Sequence, residues 1–175
     1  MKSIILIGYM GAGKTTIGKL LASKLNCEFY DLDWYIESRF HKSIPDIFAE
    51  RGEDGFRQIE RSMLQEVVGF EDAVIAVGGG TPCFFDNMEV MNTHAQTIYL
   101  KASVSTLIDH LHMSHTTRPL LEGKSDDELK VYIEENLNKR EKYYLQANHI
   151  LHIDTIHTEA QIEDYVEEVK RLLKL

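Results

Sequence analysis

Residues Gly8-Tyr9-Met10-Gly11-Ala12-Gly13-Lys14-Thr15 carry the most specific chemistry in the chain. Their spacing is G-x-x-x-x-G-K-[ST]. Glycine lets backbone N–H groups turn toward phosphate oxygens without a Cβ in the way. A helix that starts at such a loop adds the partial positive charge of its N-terminus. Lys14 has the reach for β- and γ-phosphates, and Thr15 has a hydroxyl to offer to Mg²⁺. A plain strand–turn–helix junction needs no Lys-Thr pair after its turn. The motif therefore predicts a nucleoside triphosphate, without saying what is done with it. A guanine-reading N-K-x-D is absent from the sequence, and the strand expected over Ala73–Val77 ends in Gly78-Gly79-Gly80 rather than in an aspartate.

A second group of residues could handle an acceptor. Asp31-Leu32-Asp33 closes the strand expected over Cys27–Leu32, and strand alternation would set both carboxylates on one side. One could serve a metal shell while the other orients, or takes a proton from, an attacking hydroxyl. The alternative is that Asp33 caps a helix over Asp33–Phe40. Arg57 and Glu60 stand three apart in Phe56-Arg57-Gln58-Ile59-Glu60. They form either a surface bridge of small value or a pair in which Glu60 aims Arg57 at an anion, a carboxylate above all. Three consecutive glycines cost backbone entropy, which a close approach of ligand to backbone would repay. Arg118-Pro119-Leu120-Leu121 falls in a long polar connection, Ser114–Ser125, of the kind that makes a lid. Arg140 lies on the apolar stripe Leu129–Ile133–Leu137–Tyr144 of a helix expected over Asp126–Gln146. A cation on a core-facing stripe either snorkels or meets an anion.

The elements that must position these side chains alternate. Strands are expected at Ile4–Ile7, Cys27–Leu32, Ala73–Val77, Thr97–Leu100 and His149–Ile153. Between them lie helices at Thr15–Leu25, Asp33–Phe40, Pro45–Glu50, Gly55–Val68, Ser103–Met113 and Asp126–Gln146, with a closing helix at Glu159–Leu173. This alternation predicts an α/β three-layer sandwich, a five-stranded parallel sheet with helices on both faces. No repeat or composition break divides the chain, so residues 1–175 read as a single domain.

Composition narrows the partners. The chain has 175 residues, 19 Lys+Arg against 28 Asp+Glu and a net charge of −9. Such a chain repels polyanions, so no nucleic acid is expected. No apolar run reaches membrane-span length, and the short run Ile4–Ile7 is too brief for a signal peptide, so neither a membrane nor export is expected. Cys27 and Cys83 are too few for a disulfide framework and read as buried free thiols. His110, His112 and His115 cluster, but no thiolate or carboxylate completes a metal site, and they read as surface or loop histidines.

The ordered set of Gly8–Thr15, Asp31-Leu32-Asp33, Phe56-Arg57-Gln58-Ile59-Glu60, Gly78-Gly79-Gly80, Arg118-Pro119-Leu120-Leu121 and Arg140 closely resembles shikimate kinase, over nearly the whole chain. The resemblance implies a P-loop, nucleoside-monophosphate-kinase-like fold that transfers the γ-phosphoryl of ATP to the 3-hydroxyl of shikimate. It implies that Gly11, Ala12, Gly13, Lys14, Thr15, Thr16 and Arg118 contact ATP. Thr15 and Asp31 would organise one Mg²⁺. Asp33, Arg57, Gly79, Gly80 and Arg140 would bind shikimate, with Asp33, Lys14 and Arg118 catalytic. Ile44, Phe48 and Phe56 would wall the acceptor pocket, a helical segment about 33–62 would hold shikimate, and the lid would span about 114–125. A cytoplasmic monomer is implied. One departure stands out: family members often carry an arginine just before the lid that stacks on adenine, and here the stretch reads Leu111-His112-Met113-Ser114-His115. Stacking by His112 is one expected substitute. Two other readings remain at this stage, a kinase of the same fold for another acceptor and a nucleotide-binding module without turnover.

Overall fold

The computed structural model describes residues 2–114 and 122–175. Arg118 and most of the expected lid lie outside the described residues. Five parallel strands form the sheet: β1 (Ile4–Ile7), β2 (Glu28–Asp31), β3 (Ala73–Ala76), β4 (Gln96–Ala102) and β5 (His149–Ile153), in the order β2-β3-β1-β4-β5. The central strands β1 and β3 read IILI and AVIA and are buried throughout, as strands covered on both faces must be. Their register sets Ile5 beside Ile75 on one side and Thr97 on the other. The chain leaves β1 for β2 at one edge and leaves β3 for β4 across β1. The carboxyl ends of β1 and β3 therefore flank the crevice where open α/β sheets take ligands.

The helices are α1 (Lys14–Leu25), α2 (Leu32–Phe40), α3 (Ile44–Val67), α4 (Asn87–His94), α5 (Val104–Met113), α6 (Asp126–Tyr144) and α7 (Glu159–Leu173). Pairs α1–α7, α2–α3 and α5–α6 pack together. One apolar cluster runs from Ile4 to Val169 and includes Ile17, Leu64, Ile98, Ile133 and Val166 from different elements. Among the described residues no helix is long and apolar enough to cross a membrane.

Several expectations change. The two helices expected at Pro45–Glu50 and Gly55–Val68 run on as one, broken at Gly52, whose φ of 67° and ψ of −179° only glycine adopts without strain. The strand ending in D-x-D stops at Asp31, so Asp33 belongs to the first turn of α2 rather than to the strand. Asp33 is also not the cap: Asp31 is, its carboxylate accepting the Asp33 and Trp34 amides. A 3₁₀ turn at Thr81–Cys83 and helix α4 were not expected, because Asn87–His94 is short and lacks a clear apolar stripe. Both cysteines are free but only half-buried.

Candidate active site

The phosphate loop joins β1 to α1. Gly13 caps α1 with φ 96° and ψ 12° and makes no side-chain capping bond. A residue with a Cβ would resist that left-handed conformation. A cap without a side chain is compatible with an anion at this helix N-terminus. Within the loop the Ala12 amide donates to the Tyr9 carbonyl at 3.1 Å. The Lys14 ammonium donates to the carbonyls of Gly8 and Tyr9 at 2.7 and 3.0 Å, which holds it along the loop.

Asp31 links this loop to β2. Its Oδ2 accepts the Thr15 hydroxyl at 3.0 Å while Oδ1 caps α2 through the Asp33 amide at 3.1 Å. Capping thus fixes the rotamer that faces Thr15. Asp33 follows in the first helical turn, half-buried and facing the loop after β3. Burial, and then the negative charges of Asp31 and Glu60, push its carboxyl up to about 6, against the pull of Lys14. A carboxylate with that proton affinity can accept a proton near neutral pH, which an ordinary aspartate does poorly.

The cations stand on the other side. Arg57 donates from Nη1 to Glu60 at 2.8 Å, and Glu60, only 1% exposed, accepts the Thr81 hydroxyl at 2.7 Å. Thr81 is held in turn by Asn87, whose amide donates to its carbonyl at 2.8 Å. The Arg57 guanidinium lies 4.2 Å from the Phe84 ring and 5.2 Å from that of Phe56. Its Nε is buried without a hydrogen-bond partner among the described residues. Arg57 is therefore no surface bridge: a buried carboxylate and two rings orient it. Phe56 also packs on Phe48, ring centroids 4.5 Å apart, and Ile44 joins the same apolar cluster. Arg140 lies on the α6 stripe with Leu129, Ile133 and Tyr144, as its spacing predicts, and sits 5.5 Å from the Tyr9 ring of the phosphate loop.

The triple glycine is where these groups converge. A Cβ at Gly78 would lie 3.1 Å from Asp33 Oδ1 and 3.5 Å from Glu60 Oε2. One at Gly79 would lie 3.4 Å from the Arg140 guanidinium and 3.5 Å from both Gly8 O and Met10 N. One at Gly80 would collide with Arg57 at 2.5 Å. Each glycine thus lets a different chemical group approach the backbone. The segment is clamped by the Tyr144 hydroxyl, which donates to Gly79 O at 2.6 Å.

The shikimate kinase family model matches residues 10–171. The shikimate kinase of Bacteroides thetaiotaomicron is 51% identical over 175 residues, covering all of both chains. The chain belongs to the shikimate kinase family. A crystal structure of the B. thetaiotaomicron shikimate kinase superposes with a TM-score of 0.96 and covers 99% of this chain and 98% of that one. The shikimate kinase of Acinetobacter baumannii, solved in complex with shikimate, is 31% identical with a TM-score of 0.83, covering 99% of this chain and 93% of that one.

In this chain, the expected residues Gly11, Ala12, Gly13, Lys14, Thr15, Thr16, Asp31, Asp33, Arg57, Gly79, Gly80 and Arg140 all lie at the carboxyl edge of the sheet or on the loops and helices that border it. Arg118 lies outside the described residues. Among those described, no three His, Cys, Asp or Glu side chains form a metal cage. The Thr15–Asp31 pair nevertheless fits Mg²⁺, which is commonly held by one or two protein oxygens together with phosphates and water. Sequence reasoning missed Thr81, Asn87 and Tyr144, whose roles depend on partners 6 to 65 residues away. It also misread His110, which is no ordinary surface histidine: its ring bonds the phosphate loop at Gly11 O. His112 pairs instead with Asp126 at the start of α6, 2.9 Å away.

Proposed function

We propose that residues 1–175 work as one kinase domain that transfers the γ-phosphoryl of ATP to the 3-hydroxyl of shikimate, giving shikimate 3-phosphate and ADP for chorismate and aromatic amino acid synthesis. ATP binds along Gly11–Thr16, with Lys14 on its phosphates. Thr15 and Asp31 hold Mg²⁺, which when bound offsets charge on the β- and γ-phosphoryl oxygens. Shikimate enters the segment about 33–62, its carboxylate on Arg57 and Arg140 and its ring against Ile44, Phe48 and Phe56. Asp33 orients the 3-hydroxyl and takes its proton at a carboxylate oxygen. The amides of Gly79 and Gly80 border the acceptor. Arg118, on a lid over about 114–125, completes the charge around the transferring group and excludes water. Catalysis is then positioning and charge stabilisation, without a covalent enzyme intermediate. The enzyme acts as a monomer in the cytoplasm.

The observation that supports this best is the triple glycine. It brings Asp33, the phosphate loop, Arg140 and Arg57 against one short backbone segment. A coupled ADP-release assay tests it. Release is expected to depend on shikimate and Mg²⁺. Equal release without shikimate, or release only with a different acceptor, would overturn it.

A further inference from the structure

We propose that His110 is a positioning residue for the nucleotide, locking the phosphate loop to the loop between β5 and α7. The inference rests on the reading that ATP binds at Gly11–Thr16. His110 sits on α5, outside the phosphate-loop motif and outside the acceptor set. Its ring nitrogens hold two backbone segments that are distant in sequence. Nδ1 lies 2.6 Å from Gly11 O, and Nε2 accepts the Ile156 amide at 2.9 Å. An amide can only donate, so Nε2 carries the lone pair and Nδ1 carries the proton that goes to Gly11 O.

This bond matters because of what it grips. The peptide between Gly11 and Ala12 is held from both ends, its carbonyl by His110 and its N–H by Tyr9 O at 3.1 Å. That plane sits in the middle of the phosphate cradle, where glycine freedom would otherwise allow it to turn. The same helix face backs the loop: a Cβ at Gly11 would lie 3.4 Å from Leu107 O and from the Leu111 side chain. On the other side, Asp109 accepts the Thr155 hydroxyl at 3.0 Å, so adjacent residues of α5 tie down adjacent residues of the second loop. Ile156 from that loop reaches back to the cap of α1, its Cδ1 3.6 Å from a Cβ built on Gly13. Loop, helix and loop thus form a closed ring around the start of α1. Pre-setting the cradle lowers the ordering cost of binding phosphates.

Two variants and a spectrum test this. His110→Phe keeps an aromatic ring and removes both bonds. It is expected to raise the Kd and KM for ATP about tenfold, while kcat stays within about threefold and the Kd for shikimate is unchanged. His110→Asn can offer an N–H in place of Nδ1, and is expected to recover most of the loss. The imidazole ¹⁵N spectrum of the unaltered enzyme is expected to show His110 as the neutral Nδ1–H form. Unchanged ATP affinity in a folded His110→Phe enzyme overturns the proposal. So does an Asn variant no better than Phe, or a proton found on Nε2. If the Phe variant does not fold, His110→Ala takes its place in the same comparison, and the spectrum stands independently. ATP titration of the unaltered enzyme separates the two readings. No ATP binding there removes the functional reading itself. Binding there, with equal binding to the variants, removes only the role of His110.

Discussion

Asp33→Asn is expected to make the unliganded enzyme more stable while nearly abolishing turnover, and the gain in stability should depend on pH in a defined direction. The Asp33 carboxyl is raised from 3.8 to about 6, by burial first and then by Asp31 and Glu60. The folded chain therefore holds this proton more tightly than the unfolded chain does. Stability from this group is greatest below pH ~4, declines as pH rises toward 6, and is fully lost above that. The rise corresponds to roughly 3 kcal/mol at most, at about 1.4 kcal/mol per pH unit. For a domain of this size 1 kcal/mol moves Tm by about 2–4 °C, so the upper bound is about 6–12 °C. Asn does not titrate. Urea or thermal unfolding of both proteins between pH 4 and 8, without ligands, should show a gap near zero at pH 4 that widens up to about pH 7. The kcat/KM of the unaltered enzyme should fall on the acid side with an apparent pKa near 6. A gap that is constant across pH, or that widens toward acid, would refute the electrostatic reasoning. Retained turnover in Asp33→Asn would refute its role as proton acceptor.

Gly80→Ala places a Cβ 2.5 Å from the Arg57 guanidinium; KM for shikimate should rise at least tenfold in steady-state assays, with KM for ATP little changed. Gly52→Ala asks for a φ of 67° with an extended ψ in a residue that has a Cβ; unfolding should show a loss of about 1–3 kcal/mol. Space is not the reason, since nothing lies within 4 Å of that Cβ. Tyr144→Phe removes the 2.6 Å bond to Gly79 O; a loss of about 1–2 kcal/mol in stability and a severalfold lower kcat/KM are expected.

How much of this was legible depended on how far each signal reached along the chain. The strands β1 and β3 and the helices α1 and α6 declare themselves through local apolar patterns, and the phosphate loop through local spacing. The three-residue step from Arg57 to Glu60 was readable as a pair, but its burial was not, because Thr81, Phe84 and Asn87 supply it from a segment with weak helical signal. The D-x-D pair was placed at the end of β2 as expected, but with the wrong local geometry. A strand reading put both carboxylates on one side, whereas the chain turns into α2 at Leu32, so Asp31 caps while Asp33 projects from the first turn. His110 was misread because a histidine's value lies in its partners, and those partners, at positions 11 and 156, are fixed only by the fold.

A net charge of −9 sits oddly beside anionic substrates until the charges are paired. Arg57 is neutralised by Glu60 at 2.8 Å and lies 3.6 Å from Glu53, so its contribution is geometric more than electrostatic: a guanidinium already aimed and already desolvated. Arg140 has no carboxylate within ion-pair distance among the described residues; its neighbours are the rings of Tyr9 and Tyr144 and the thiol of Cys83. Burial pushes that thiol up to about 11, so it stays neutral and does not compete for the cation. The acidic side of the site acts in the opposite sense. Asp31 and Glu60 repel a charge on Asp33 and thereby make it a better base, while each also holds a neutral donor, Thr15 or Thr81, in place. The acids near the cleft thus do not cancel its cations. They tune one carboxylate and orient one guanidinium, and leave Arg140 as the cation whose charge an acceptor carboxylate would meet.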